Sequence, residues 1–479
     1  MPFVVFRMFW VSCAGKCQPL KNTPRYLWHR DEYGSMDVEE YVRMHLAAGE
    51  DENTLVKNLV GRITEIKKAA RPAYTEAFAR AVVEEVNNTQ GLTGDFFEFE
   101  PARVKMGEFG VGSRGKGDFF AHREIARIIG KTNASVGVDE MDDAGAVKAG
   151  GEYIVCTVDG MHSRLSDYPY LAGFHVTRAT LRDLYVMGAK PVMLFSDIHV
   201  ADDGDVAKIF DYTAGITTVG EAMDVPLVTG STLRIGGDMV LGNRLTGCVG
   251  CVGVARHLTA RKSTQPGDVL LMTEGAGGGT IATAAIYSGF PEVVEETINL
   301  NFLLTCEALI KSPVFDQIHA MTDVTNGGLR GDIFEMTETA RCRMVVREED
   351  TRSLVNPRVR EMLDTLEIDF LGVSLDALLI VAPRSAAGAI TEVIRSTGVD
   401  CHEIGYVEAG KPASVLMTDG KEHDFQPRFR ESAYTPVKKV VDTDAPDFEM
   451  MKKEVLRASE AAIAKKKRVL ERLKEKREG

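Results

Sequence analysis

The chain has 479 residues, a formal net charge of −13, 44% hydrophobic residues and 27% charged residues. This is the balance of a globular protein long enough for two or three domains, and its acidic excess disfavours general nucleic-acid binding. Eight dispersed cysteines and apolar runs too short to cross a bilayer predict a cytoplasmic protein with no membrane partner.

The amino-terminal part of the chain divides into an extension and a helical region. We expect residues 1–35 to be a disordered extension and residues 36–100 to be a helical region, with Leu55, Leu59 and Ile63 at helical spacing. A segment rich in glycine and charge follows at 101–118. A helix is predicted after it, from Phe119 to Ile129.

Strand-like and helix-like segments alternate from residue 152 onward. The first predicted domain covers residues 101–262, and the Gln-Pro-Gly-Asp turn that begins at Gln265 marks its end. A second domain, residues 266–435, again mixes strands with helices, including one long helical stretch at 293–311. The sequence therefore predicts two α/β or α+β domains.

The carboxyl-terminal segment 447–479 is predicted to be a basic amphipathic helix. Its last 29 residues, 451–479, hold 11 Lys/Arg and 5 Asp/Glu, whereas the remainder of the chain is acidic. Apolar residues repeat every seven positions at Phe448, Val455 and Val469. Such a helix can pack on its own acidic body, pair with a second copy or bind a partner protein.

A glycine-rich loop is the first candidate for ligand binding. Its run GVGSRGKG resembles a Walker loop, but the final hydroxyl residue is replaced by Gly117, which argues against a P-loop. Because a helix follows, its amides are candidates for binding phosphate, with two cations to neutralise the charge. The candidate residues are Gly110, Gly112, Gly115, Lys116 and Arg114.

Acidic residues at strand ends and in one apolar helix form the second candidate site. Asp142 and Asp143 precede a strand that ends at Asp159, and Asp183 interrupts the periodicity of a predicted helix. Mg²⁺ prefers carboxylate oxygens and, with ATP, neutralises phosphate charge. We predict a magnesium site from these acids together with Asp323.

A strand ending at Asp323 runs into the turn Thr325-Asn326-Gly327-Gly328. The two glycines permit close approach of the backbone to a ligand, and the helix that begins there offers a second amino terminus to phosphate. Asp323, Thr325, Gly327 and Gly328 are therefore candidate binding residues.

Four segments, taken in chain order, resemble segments of a known protein superfamily. They are DDAGAV with TVDG, RDLYVMGAKP, PGDVLLMT and MTDVTNGGL. Over residues 100–420 they are similar to AIR synthase, selenophosphate synthetase, thiamine-monophosphate kinase and the hydrogenase maturation dehydratase. The chain looks nearest to archaeal AIR synthase-related proteins.

The resemblance implies an AIR synthase-like (PurM-like) fold, with an amino-terminal domain that forms a β-barrel shared by a homodimer. It implies ATP and Mg²⁺ as cofactors, a small-molecule substrate, and transfer of the γ-phosphoryl group to oxygen or a similar nucleophile. Asp143, Asp159, Asp183 and Asp323 would hold metal, with Asp142 as the alternative to Asp143, because the extra Gly145 shifts the match by one residue. Lys116, Arg114 and Asp323 would be catalytic.

Two positions depart from the family pattern. Arg182 stands where the family has an asparagine, and Gly230-Ser231-Thr232 lacks an acidic residue of the family segment. Two hypotheses follow: an ATP-dependent phosphotransferase or ligase, and a non-catalytic nucleotide-binding protein that acts through its basic helix.

Overall fold

The computed structural model describes residues 37–67, 72–235, 242–431, 433–441 and 447–478. The chain divides into two units, residues 1–90 and 91–479. The predicted disordered extension, 1–35, lies outside the described residues. Among the described helices, none is long and apolar enough to cross a membrane.

The first unit is helical, as predicted. Its helices are α1 (Val38–Ala47), α2 (Glu52–Lys67) and α3 (Pro72–Asn88). The carboxylate of Asp51 accepts hydrogen bonds from the amide groups of Asn53 and Thr54 at the start of α2. Leu55 and Leu59 are fully buried, which confirms the helical spacing of the apolar residues.

The second unit contains all of the strands, which form two sheets. The first sheet has five strands in the order β1-β2-β5-β3-β4, and only β3 and β4 are parallel. The second has seven strands in the order β12-β11-β8-β10-β6-β9-β7. The first-sheet strands are β1 (Gly145–Ala149), β2 (Glu152–Gly160), β3 (Lys190–Ala201), β4 (Leu227–Ile235) and β5 (Leu245–Ala255). The second-sheet strands are β6 (Asp268–Thr273), β7 (Ala320–Asp323), β8 (Arg343–Arg347), β9 (Leu378–Pro383), β10 (Cys401–Glu408), β11 (Ala413–Thr418) and β12 (Lys421–Asp424).

Helices flank both sheets. Those before the second sheet are α4 (Met106–Phe109), α5 (Lys116–Ile129), α6 (Pro169–Val186) and α7 (Ala207–Ala222). The later ones are α8 (Gly279–Ser288), α9 (Asn301–Lys311), α10 (Gly328–Ala340), α11 (Glu348–Ser353), α12 (Pro357–Thr365), α13 (Ala387–Ser396), α14 (Pro436–Val441) and α15 (Phe448–Glu478). The mixed α/β architecture with two sheets is the fold class predicted from the sequence.

Helix α6 connects the two sheets. It packs against β2 and β5 of the first sheet and against β7 and α9 of the second half. One hydrophobic core therefore runs from Leu181 and Leu184 on α6 to Leu271 on β6 and Leu303 on α9. Since α6 is buried on nearly all sides, its polar residues lie inside the protein.

Three differences from the predicted elements have local causes. The predicted helix at 293–311 is interrupted, because the Asn299 side chain accepts a hydrogen bond from the Asn301 amide and starts α9 anew. The apolar run at 376–383 predicts a strand, but β9 begins at Leu378, because Asp376 turns toward two arginines. Strands β1, β8 and β10 to β12 were not predicted.

Helix α15 confirms the predicted helical tail and lies against the body of its own chain. Its basic residues bind acceptors there: Arg468 pairs with Asp95 at 2.6 Å, and Lys466 donates to the carbonyl of Ile129 at 2.9 Å. At its start, the Phe448 ring packs on Phe109 and Phe429, with ring centroids 5.7 and 5.1 Å away. The helix is thereby fixed beside the glycine-rich loop.

We expect Phe448→Ala to loosen the loop, because the ring contacts both Phe109 before it and Phe429 beside it. The loss should be about 2 kcal/mol of stability. Amide hydrogen exchange over residues 107–117 should become faster. Leu473→Ala, a change at a side chain 52% exposed on the same helix, is the control. Equal exchange in both variants would contradict the packing role of Phe448.

Candidate functional site

Four of the predicted acids meet between the two sheets. Asp143 leads into β1, Asp159 ends β2, Asp183 lies on α6 and Asp323 ends β7. Burial raises the pKa of Asp143 and Asp183 well above the usual carboxyl range, and repulsion from the other acids adds to the effect. Burial and the charge of Asp323 raise the pKa of Asp159 to about 6. The structure therefore brings these four together.

Asp142, the alternative to Asp143, has a different environment. Its side-chain oxygens accept hydrogen bonds from the amides of Arg261 at 3.0 Å and of Asp143 at 3.1 Å. These bonds fix the turn before β1. Asp143 keeps one buried oxygen, Oδ2, without a hydrogen-bond partner. Of the two, Asp143 is the acid that offers an unused oxygen.

Arg261 is a fully buried cation that joins both halves of the site. Its guanidinium donates to Asp143 at 2.5 Å, to Glu335 on α10 at 2.7 Å and to the Thr322 hydroxyl on β7 at 2.8 Å. It also donates to the carbonyl of Met141 at 2.9 Å. Burial would lower its pKa, but the surrounding carboxylates outweigh burial and raise it.

Arg114, a residue of the glycine-rich loop, links this loop to the same acids. Its guanidinium binds Glu335 and lies 3.4 Å from Asp332, both on α10. Burial raises the pKa of Asp332 to about 7, against the opposing effect of Arg114 and Arg261. Arg114, predicted as catalytic, is therefore placed in the acid cluster.

The glycine-rich loop binds a carboxylate of its own. The amides of Gly112 and Arg114 donate to the buried Asp118 side chain at 3.0 and 2.7 Å, and the Lys116 amide donates to the Arg428 carbonyl at 3.0 Å. These amides, which the phosphate-binding hypothesis requires, are thus already bonded within the chain. The Lys116 side chain is exposed, and no described contact joins it to the acids.

The loop glycines are explained by close packing. A Cβ on Gly115 would lie 2.2 Å from the Phe429 carbonyl oxygen, and one on Gly110 would lie 3.0 Å from the Arg430 side chain. Gly112 has open space around it but a φ of +84°. The preceding element is helix α4, not the strand of a P-loop, in agreement with the argument from Gly117.

The glycines after β7 also pack against the chain. A Cβ on Gly327 would lie 2.7 Å from the Arg114 Cβ, and one on Gly328 would lie 2.3 Å from the Leu371 carbonyl oxygen. The Thr325 amide donates to Asp332 at 3.3 Å. Gly327 therefore brings the loop against the start of α10, while Thr325 remains partly exposed.

A second group of charges surrounds Asp376. Arg182 donates from Nε to Asp323 at 3.0 Å and pairs with Asp376, which also lies 3.7 Å from Arg178. Burial would lower the pKa of Arg182, but Asp376 and Asp323 outweigh it and raise it. The guanidinium is thus held between carboxylates from two separate segments.

Two histidines beside this group are held neutral. Burial, followed by Lys438, lowers the pKa of His162 to about 4, and its Nε2 lies 3.0 Å from the Thr280 hydroxyl. Burial and Arg178 hold the pKa of His175 well below its usual value. Neither ring adds positive charge near neutral pH.

The site fits a hard cation in its donor chemistry. Asp143 Oδ2 and Asp323 Oδ1 are buried without partners, and Asp159 and Asp183 keep some exposure to solvent. Within the described ranges, no group of three His, Cys, Asp or Glu side chains is placed to hold a metal ion by itself. A cation here would need further oxygens from outside the chain, which nucleotide phosphates supply.

Sequence reasoning missed several charged residues of the site: Arg178, Arg261, Asp332, Glu335 and Asp376. Two signals were present. Arg178 and Arg182 recur at i, i+4 on a helix otherwise apolar, and Asp332 and Glu335 recur at i, i+3. Arg261 and Asp376 lie in connecting segments and carry no such local signal.

The raised pKa of Asp332 predicts that the stability of the protein depends on pH. Its pKa in the folded protein, about 7, is above its ordinary value, so its contribution to stability is present at low pH and is lost as the pH rises toward 7. Relative to Asp332→Asn, the wild type should lose roughly 3 kcal/mol between pH 5 and pH 8. Denaturant unfolding measures this difference. A difference independent of pH would contradict the raised pKa.

Two segments of the chain match the models of one protein family. Residues 141–255 match the family model "AIR synthase related protein, N-terminal domain", and residues 265–417 match the corresponding C-terminal domain. An uncharacterized protein of Methanocaldococcus jannaschii is 51% identical over 454 residues, covering 92% of this chain and 99% of the relative. The likeness therefore extends beyond the two family domains.

Other similar proteins have named activities or ligands. The selenide, water dikinase of Myxococcus xanthus is 27% identical over 327 residues, covering 60% of this chain and 90% of the relative. The crystal structure of the hydrogenase maturation protein HypE in complex with ATP is similar in fold, with a TM-score of 0.50 and 19% identity. It covers 60% of this chain and 88% of HypE. On the strength of the two domain matches and the extended relative, this chain belongs to the family of AIR synthase related proteins.

Proposed function

We propose that this protein is an ATP- and Mg²⁺-dependent enzyme that transfers the γ-phosphoryl group to an oxygen or similar nucleophile of a small molecule. The observation that carries the proposal is the meeting of four acids between the sheets, two of which keep an unpartnered buried oxygen, Asp143 Oδ2 and Asp323 Oδ1. The other two are Asp159 and Asp183. The family supports it, since relatives include a dikinase and an ATP-binding maturation protein.

The acids have the role of metal ligands in this proposal. Asp159 and Asp183 are partly exposed, so they can meet a cation that arrives with the nucleotide. Bound Mg²⁺ would neutralise the phosphate charge during transfer. Asp143 and Asp323 lie deeper, and each retains one buried oxygen without a hydrogen-bond partner.

Arg114 is the residue that we propose to stabilise the transferring phosphoryl group. It comes from the loop, it is adjacent to Gly327 and it is oriented by Glu335. A fixed guanidinium in a buried site stabilises developing negative charge without reorganisation. Lys116 remains a candidate for outer phosphate contacts, since its side chain is exposed at the start of α5.

A role as a non-catalytic protein that acts through its basic helix has less support. Arg457 binds Glu100 and the Pro101 carbonyl, and Lys465 donates to the Glu98 carbonyl at 2.7 Å. These internal contacts engage basic residues of the helix whose positive charge suggested a partner protein. The helix therefore belongs to the body of the enzyme in our proposal.

We also propose a homodimer formed through the first sheet. Apolar side chains are exposed on its strands, among them Val158, Val228 and Leu233 at 58, 53 and 56%. An exposed apolar sheet surface of this kind is typical of an interface. Closing two such sheets against each other would give the shared β-barrel expected from the sequence.

The metal-site proposal is tested with Asp323→Asn, which removes one charge and keeps the shape of the side chain. ADP formation from Mg²⁺-ATP with pooled metabolites should fall by about 100-fold or more. Asp211→Asn, at an exposed position on α7, is the matched control. Full activity in a folded Asp323→Asn protein would refute the assignment.

The dimer is tested with Val158→Lys on β2. A lysine in the apolar interface should shift the protein to monomers in sedimentation experiments, because an unpaired charge there is costly. Val206→Lys, at an exposed apolar residue outside the sheets, should leave the mass unchanged. A Val158→Lys dimer as stable as the wild type would exclude this surface as the interface.

A further inference from the structure

The position of Arg182 has a consequence for the number of metal ions. Its side chain is 95% buried, and it bridges Asp323 at the end of β7 and Asp376 before β9. One turn earlier, Arg178 lies 3.7 Å from the same Asp376 and donates to the Thr297 carbonyl at 2.8 Å. Two fixed cations therefore face two carboxylates.

Two acids of the cluster, Asp159 and Asp183, have no cation of their own among the described residues. Among the described residues, neither Asp159 nor Asp183 forms an ion pair within 4.0 Å. Asp183 instead accepts a hydrogen bond from the Thr157 hydroxyl at 3.0 Å. The two carboxylates carry together the charge that one divalent ion neutralises.

One of the two carboxylate oxygens of Asp323 already has a partner within the chain. Arg182 binds its Oδ2, and only the buried Oδ1 has no hydrogen-bond partner. On the other side of the cluster, Asp143 binds Arg261 through Oδ1 and leaves Oδ2 unpartnered. Each of these acids thus has one oxygen for a metal ion, and the other belongs to an arginine.

We infer that Arg182 is a permanent cation of the nucleotide site, and that the site consequently takes a single divalent metal ion, centred on Asp159 and Asp183. This inference rests on the proposed function. A covalently attached guanidinium holds Asp323 and Asp376 in place whether or not metal is present, which a second exchangeable ion would not do.

The inference is tested by counting Mn²⁺ ions bound to the full chain with stoichiometric non-hydrolysable ATP analogue AMPPNP. Equilibrium dialysis with electron paramagnetic resonance detection of free Mn²⁺ gives the number. The wild type and Arg182→Lys, which keeps the charge, should each bind one ion. Arg182→Asn should bind two, because Asp323 then lacks a cation and Asp376 keeps only the more distant Arg178.

The control is Arg343→Asn, which removes an arginine that also pairs with two carboxylates, Glu408 and Glu422. It should bind one ion. Because removing one partner of a buried ion pair is strongly destabilising, folding of each variant is checked by circular dichroism. If Arg182→Asn does not fold, the wild-type count still tests the single-ion site.

Each result has a distinct meaning. If the wild type binds two ions, or if folded Arg182→Asn binds one, the inferred role of Arg182 is wrong. Neither result contradicts the proposed binding of ATP. Binding of AMPPNP without any Mn²⁺ overturns the single-ion site as well. No binding of AMPPNP by the wild type, with or without Mn²⁺, refutes the proposed function and with it this inference.

Discussion

The buried contact between Arg261 and the acids on either side of it is the constraint on which the site depends. Asp143 precedes the first sheet, Glu335 lies on a helix of the second half, and one guanidinium binds both. Neither acid could be buried alone without a large loss of hydration. The arginine therefore makes it possible for carboxylates from distant parts of the chain to share one interior.

The same principle explains the surroundings of the acid cluster. Arg114, Arg178 and Arg182 each bring a cation from a different turn of helix or loop. Together with Arg261, they place an arginine within 4.0 Å of six of the acids. Asp159 and Asp183 are left at the partly exposed edge. Internal charge pairing thus separates acids that maintain the structure from acids that are available to a ligand.

Much of the fold and part of the site follow from local sequence. Asp159 and Asp323 were found because each ends a strand, and Asp183 because it interrupts an apolar helix. Arg261 was not found, because its partner Glu335 is 74 residues away and no periodicity relates them. The glycine-rich pattern indicated phosphate, but Asp118, one residue beyond the glycines, accepts the amide hydrogen bonds instead.

The contacts that hold the glycine-rich loop in place also affect how the protein folds. The loop contacts Arg428 and Phe429, and Phe448 packs on the Phe109 ring before it, yet these partners are synthesised much later than the loop. Contacts between such distant segments form late, because a long chain must be ordered before they bring any gain. The loop thus reaches its final geometry only after the segment that contains Phe429 and Phe448 has been synthesised, and a nascent chain that lacks this segment cannot assemble a finished site.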